Sequence, residues 1–380
     1  MMRANGALPA VCPAECDVCV VGGGLAGLAT AWRLAQAGRK TVLLERRVPA
    51  GAASSANAGT LAIQNKRPPL LPFFRDALAE WARVAKELDT ETGYGTPGGF
   101  HIARSDDDAE RLRRNFENHG ALGLAGDWLD RNALRIEAPW LGDGIVAATR
   151  SPMDAHADPL RAGSAMAAAA QTAGAAILTG TELRGASREG ASWRLETGVG
   201  TLRAETVVIA AGPWTGRVAA LFGAALPIRP SLIMLSVTEP APRFMDRIVT
   251  HVAGNLTVKQ VKNGSCLIGG GWPGAGDFDA ERPGIDPLML RHNLRLATDV
   301  VPGLANLRLA RSWANFEAQT PDGLPIFGAV HGFDRLFVVL PTAGGWTAAP
   351  LMGRLMARLI STGEAPETLA PATPARFSPR

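Results

Sequence analysis

The sequence predicts an α/β fold, and three observations carry that prediction. The apolar run Val18-Cys19-Val20-Val21 leads without a spacer into Gly22-Gly23-Gly24-Leu25-Ala26-Gly27. A helical pattern over 25–37 follows, stopped by Gly38, and a second apolar run, Thr41-Val42-Leu43-Leu44, ends at Glu45. Much further along, Thr206-Val207-Val208-Ile209 repeats the composition of a buried strand and runs into Ala210-Ala211-Gly212.

The first two form strand, glycine turn, helix, strand and acid within about 30 residues, the dinucleotide-binding fingerprint in the context it requires. Gly22 allows the tight turn, Gly24 lets the backbone approach a pyrophosphate, and Gly27 lets the helix pack on the strand. The helix beginning at Leu25 and Ala26 turns free N–H groups and a positive dipole end toward phosphate. Glu45, with Arg46 beside it, is placed to accept hydrogen bonds from ribose hydroxyls. The small residues of Gly51-Ala52-Ala53-Ser54-Ser55-Ala56-Asn57-Ala58-Gly59-Thr60 read either as close backbone approach to a bulky ligand or as a flexible loop.

Composition narrows the rest. A chain of 380 residues has room for two ordinary domains or one large domain with an insertion, and 47% apolar with 19% charged residues fits a large core. The net charge of +4 is carried almost wholly by scattered arginines, which leaves no nucleic-acid footprint. Cys12, Cys16 and Cys19 form C-x3-C-x2-C, but Cys19 lies inside the first strand and no fourth ligand is near, so no metal is expected. The six histidines fall at no metal or triad spacing. Neither a signal peptide nor a membrane span is evident, which points to the cytoplasm. The proline-rich tail 364–380 is expected to run extended.

The opening DVCVVGGGLAGLATAWRLAQAGRKTVLLER, followed by SSANAG, resembles the D-amino acid oxidase superfamily of flavoproteins. Three later stretches agree. Residues 206–212 resemble the strand and turn that return the chain to the FAD domain. Thr320-Pro321-Asp322-Gly323-Leu324-Pro325-Ile326-Phe327-Gly328 matches the TPDGLPxxG stretch. Gly344-Gly345-Trp346-Thr347, ahead of a helix over 348–360, stands where the family's loop contacts the flavin ring. The resemblance implies a Rossmann-type FAD-binding domain, discontinuous in the chain, with a mostly β substrate-binding domain. It implies FAD contacts from Ser54, Ser55, Asn57, Ala58, Gly59, Ala211 and Gly212 in addition to the fingerprint.

On that frame the FAD-binding segments are 15–90, 150–222 and 305–363, and the substrate-binding segments are 91–149 and 223–304. Asp158-Pro159 reads as N-cap and first residue of an alanine-rich helix ending at Thr172. Further helices are expected over 72–91 and over 106–119, the latter with Ser105 as N-cap and Asp108 at N3. Residues 232–237 and 256–261 read as strands, and Asn263-Gly264 is a hairpin signal before Cys266–Gly269. Gly269-Gly270-Gly271-Trp272 is expected to pass close to the flavin.

The family chemistry passes a hydride from carbon to flavin N5, so the protein supplies orientation and charge, and no side-chain base is demanded. Glycine- and D-amino-acid-oxidising relatives place a carboxylate-binding Arg just before TPDG, where this chain has Glu317. They also use active-site tyrosines, and the only tyrosine here is Tyr94. Glu317 reads either as the partner of a cationic group on a larger substrate, such as an arginine-derived opine, or as a structural Glu paired with Arg311. Thr257 and Lys259 share one strand face. Lys259 reads as a carboxylate holder or as an exposed strand lysine. Gln64, Lys66 and Arg67 follow the SSANAG loop within reach of a substrate, and Trp272 and Trp346 read as pocket walls or as core.

Covalent relatives use a His in the loop after the acidic strand or a Cys before TPDG. Asn57 and Asn315 stand near those places, so FAD is expected to be non-covalent. Monomeric sarcosine oxidases carry a lysine over the flavin, and Leu267 aligns there, which implies dehydrogenase behaviour. LTVKQ followed by LIGGGWPG most resembles the catalytic β subunits of heteromeric opine, hydroxyproline and proline dehydrogenases. That implies an amino-acid-like substrate and partner subunits carrying flavin or an iron–sulfur centre. A self-contained oxidase and a non-catalytic FAD-bearing assembly subunit remain the alternatives.

Overall fold

A computed structural model describes residues 12–88, 92–342 and 344–377. Two eight-stranded sheets organise the chain. In the first, Glu15–Val21 lies at the centre, paired in parallel with Gly200–Ile209 on one side and Thr41–Leu44 on the other. Val18, Cys19 and Val20 are accordingly fully buried. Ala176–Leu178 extends the parallel row beyond Thr41–Leu44, and Leu336–Leu340 extends it beyond Gly200–Ile209. Ile326–Ala329 closes that edge antiparallel, and the hairpin Leu183–Glu189/Ser192–Thr197 branches from Gly200–Ile209.

The helix Leu25–Gln36 leaves the glycine turn and packs against Pro159–Thr172 and Gly345–Thr362. A Cβ at Gly353 would fall 2.4 Å from that of Ala29, so only glycine lets the two helices meet this closely. Pro350 lies inside Gly345–Thr362 and has no N–H for the carbonyl four residues back. That carbonyl, Trp346 O, instead accepts a hydrogen bond from Trp81 Nε1 at 3.3 Å. Glu80, wholly buried on Leu71–Glu87, is surrounded by Arg33, Arg83 and Arg354 at 3.5, 2.5 and 2.8 Å, which joins three helices through one satisfied charge.

The second sheet runs Leu309–Gln319, Arg229–Thr238, Cys266–Gly269, Thr257–Gln260, Ile248–His251, Gly99–Ala103, Ala147–Ser151, Asp127–Asp130. Side chains alternate between its faces. Val258, Cys266 and Ile268 point into a core with Leu296 and Val300 of the helix Pro287–Val300. By the register, the opposite face carries Thr257, Lys259, Leu267, Leu235, Trp313, Asn315 and Glu317. That face looks toward the FAD domain, because Trp313 Nε1 donates to Ala56 O at 2.9 Å.

The strand Leu309–Gln319 corrects the expected division of the chain. It falls in the segment 305–363 assigned to the FAD domain, yet pairs along its length with Arg229–Thr238 in the second sheet. The expected helices occur as Leu71–Glu87, Asp106–Ala121 and Pro159–Thr172, with Ser105 and Asp158 as caps. Residues 89–91, where the first was expected to end, lie outside the described residues. The last helix starts three residues earlier than expected, at Gly345. The tail is not extended over its described part. It forms the 3-10 turns Glu367–Ala372 and Pro374–Phe377, buries Leu369 and Ala372, and Arg376 pairs with Asp322 at 2.8 Å. Among the described residues, no helix is long and apolar enough to cross a membrane.

Candidate cofactor and substrate site

A cavity of about 660 Å³ opens at the carboxyl ends of the parallel strands, where the first sheet meets the second. Gly22, Gly24, Leu25 and Ala26 form its floor, Glu45 and Arg46 one end, and Gly344, Gly345 and Thr347 the other. The carboxylate of Glu45 accepts from Gly23 N at 2.8 Å and from Arg47 N at 2.7 Å. Each carboxylate oxygen keeps a further lone pair for a ribose hydroxyl. A Cβ at Gly23 would sit 2.9 Å from Glu45 Cβ, so the middle glycine of the triplet is the one the acid needs. Gly27 is required for packing, since its Cβ would fall 2.0 Å from Gly22 O. Leu25 N–H donates to Ser54 Oγ at 2.9 Å. The amides of Gly24 and Ala26 have no acceptor within the helix and border the cavity. Bare backbone, spare amides at a helix start and an acid at the adjacent strand end fit an adenine dinucleotide.

The far end carries charge. Lys66 Nζ lies 2.6 Å from where a Cβ at Gly344 would be, at the start of the helix Gly345–Thr362. Burial lowers the Lys66 pKa to about 8, against the opposing pull of Asp154 and Glu317. Burial raises that of Glu317, and Lys66 moderates it. Both border the cavity, yet among the described residues no ion pair joins Lys66 to Glu317, or Glu317 to Arg311. The pairing with Arg311 considered from sequence is therefore absent.

Of the residues expected to hold FAD, Gly22, Gly24, Leu25, Ala26, Glu45, Arg46, Ser54, Asn57, Ala211, Gly212, Gly344, Gly345, Trp346 and Thr347 line this cavity. Gly27, Ser55, Ala58 and Gly59 do not, and their work is internal. Ser55 Oγ donates to Ala52 O at 3.1 Å, and Asn57 Oδ1 accepts from Gly59 N at 2.8 Å, folding the loop back on itself.

The substrate candidates divide. Glu317 borders the cavity. Trp346 does too, but its ring lies 5.1 Å from Trp81 in the helical core. Gln64 is structural: it is buried, donates to Asp154 Oδ2 and Gly99 O, and accepts from Thr149 Oγ1. Trp272, and with it the glycine run expected near the flavin, stays outside the cavity lining. Its Nε1 donates to Asn255 O at 2.6 Å and its ring meets His292 edge-on. Thr257 and Lys259 lie on the FAD-facing side of the second sheet without lining the cavity. Lys259 is not an exposed strand lysine. Only 3% of it is accessible, and burial lowers its pKa to about 7 despite Asp158. Nearby His156 is driven down to about 4 by burial, with Lys259 and Arg243 adding to the effect.

Sequence reasoning missed Gly23, residues 181–184, Trp214, Arg217 and Glu281, all of which line the cavity. Gly23 stands within the triplet itself. The others reach the cavity from distant segments, and no local pattern marks them. Cys16 and Cys19 are buried, and burial pushes the Cys16 thiol up to about 12, the environment of an un-ionised core thiol.

Similarity to known proteins runs the length of the chain. The family model DAO, described as FAD dependent oxidoreductase, matches residues 17–359. Glycine oxidase of Geobacillus kaustophilus (strain HTA426) is 30% identical over 367 residues, covering 93% of this chain and 95% of that protein. An opine oxidase subunit of Rhizobium meliloti is 26% identical over 375 residues, covering 96% and 98%. The crystal structure of glycine oxidase from Geobacillus kaustophilus superposes with a TM-score of 0.89 at 27% identity, covering 97% of this chain and 100% of that one.

Proposed function

The chain belongs to the DAO family of FAD-dependent oxidoreductases acting on amino-acid-like substrates, and from that premise we propose that it oxidises a carbon–nitrogen bond in an N-substituted amino acid such as an opine. The observation that carries this reading is the half-buried cation and anion, Lys66 and Glu317, bordering one cavity without an ion pair between them. Lys66 stands where a carboxylate can be held, and Glu317 where a cationic group can be met. A subunit without substrate chemistry has no use for such a pair.

FAD, held by the residues above, supplies the two-electron acceptor. The protein's part is to orient the C–N bond and exclude water. Leu267 in place of a charge supports electron transfer to a partner subunit rather than to oxygen. The relative named as a subunit of opine oxidase supports the same role.

A second reading, a self-contained oxidase, is favoured by the likeness to glycine oxidase and by Lys259, which stands directly across from Leu267. The test of C–N oxidation is product analysis with an electron-accepting dye. An oxo acid and an amine formed in step with dye reduction support it, and dye reduction without a released amine overturns it.

A further inference from the structure

Beyond the glycine fingerprint, a hairpin of the second domain reaches the cofactor cavity through Glu281. Its strands are Ala275–Asp277 and Arg282–Gly284, and its tip reaches the residues that follow the ribose-facing acid. Glu281 Oε1 accepts from Arg46 Nη1 at 2.6 Å, and Glu281 Oε2 accepts from Arg47 Nη2 at 2.5 Å. Asp279 pairs with Arg217. The Arg46 guanidinium lies 4.3 Å over the Trp214 ring, and Trp214 stacks on Phe278 at 5.7 Å with 23° between planes. Phe278 in turn rests on Phe316 of the second sheet at 5.1 Å. Arg46, Arg47, Trp214, Arg217 and Glu281 all border the cavity.

The tip has a specified shape. Glu281 has a φ of 52°, the left-handed region that a glutamate adopts only where its surroundings hold it there. Asp277 Oδ1 accepts from Asp279 N at 2.8 Å and Ala280 N at 3.0 Å, pinning the turn. One carboxylate thus takes two guanidinium groups, and one of these lies over an aromatic ring. That arrangement spans two domains at the end of the cavity marked by Glu45 and by residues 181–184.

We propose that this hairpin is a clasp on the adenosine half of FAD, with Glu281 as the positioning residue that holds Arg46 against Trp214 over the cofactor. The proposal rests on Glu45 marking the adenosine end and is independent of which substrate is oxidised. FAD then leaves only when the domain-crossing ion pairs open. Salt therefore speeds release, since the pairs are partly exposed and open to screening.

The test is the rate at which flavin fluorescence appears when the holoprotein is diluted, for wild type, Glu281→Gln, Glu281→Gly, Arg46→Gln and the Arg46→Gln/Glu281→Gln double variant. Glycine suits the left-handed backbone, so Glu281→Gly removes the carboxylate without straining the turn. Both Glu281 variants are expected to release FAD about tenfold faster. The double variant should exceed Arg46→Gln only by what the remaining Arg47–Glu281 pair contributes, so the two single effects should be less than additive. Added salt should speed release from wild type more than from Glu281→Gly, in which, among the described residues of the hairpin, only the Asp279–Arg217 pair still crosses. Wild-type release rates in both Glu281 variants, or equal salt effects on wild type and Glu281→Gly, would overturn the proposal.

Discussion

Lys259 stands directly across from Leu267 on neighbouring antiparallel strands, both on the sheet face that looks toward the FAD domain. Leu267 leaves its own position uncharged. Lys259 is a buried lysine whose pKa burial lowers to about 7, so its charge near neutral pH is conditional. An ammonium beside developing negative charge lowers a barrier, and the neutral amine does not. Stopped-flow reoxidation of substrate-reduced protein should therefore be slow at pH 8, and any acceleration should appear only as pH falls through about 7 and vanish in Lys259→Met. Fast return of the oxidised spectrum at pH 8, with stoichiometric hydrogen peroxide, contradicts the partner-dependent reading.

The same lysine carries a stability cost of known sign. Its pKa falls from 10.5 to about 7 on folding, so the folded state binds its proton less tightly than the unfolded chain. Stability from this group is fully present above pH 10.5 and is lost as pH falls from there to about 7. Lys259→Met should thus stabilise the protein by about 1–3 kcal/mol at pH 7 and by less at pH 10. Denaturant titrations at the two pH values measure the difference. A variant less stable than wild type at pH 7 contradicts the assignment.

Glu45→Ala removes more than a ribose contact, because the carboxylate also receives Gly23 N and Arg47 N. Loss of charge-assisted hydrogen bonds should loosen FAD by about tenfold or more. Gly23→Ala should weaken binding too, by pushing the acid away. Titration of the apoproteins with FAD reads both, and wild-type affinity in either contradicts the geometry.

FAD should be releasable without breaking a covalent bond. Asn57 Oδ1 accepts from Gly59 N and Asn315 Oδ1 from Phe316 N, and neither side chain offers a nucleophile. Acid precipitation should leave a yellow supernatant and a colourless pellet.

The glycine turn, its helix and Glu45 were legible because their contacts are local, all within the span from Val18 to Glu45. Leu309–Gln319 was misplaced because its membership depends on pairing with Arg229–Thr238, a partner that no local pattern names. Gln64 looked available to a substrate because the buried Asp154 that engages it lies 90 residues away. Lys259 looked exposed because strand alternation sorts faces without saying which face another domain covers. Glu281 was invisible for a similar reason: its partners Arg46 and Arg47 are 235 and 234 positions distant.

The central claim is that this chain removes electrons from a C–N bond in a carboxylate-bearing amine. The direct measurement is anaerobic mixing of the FAD-loaded protein with opines, N-methyl amino acids and simple amino acids, watching the visible flavin absorbance. Bleaching by an opine or another N-substituted amino acid is expected, and much slower bleaching by that substrate in Lys66→Met. Bleaching by 2-hydroxy acids, with none by any amine in the panel, would contradict the claim.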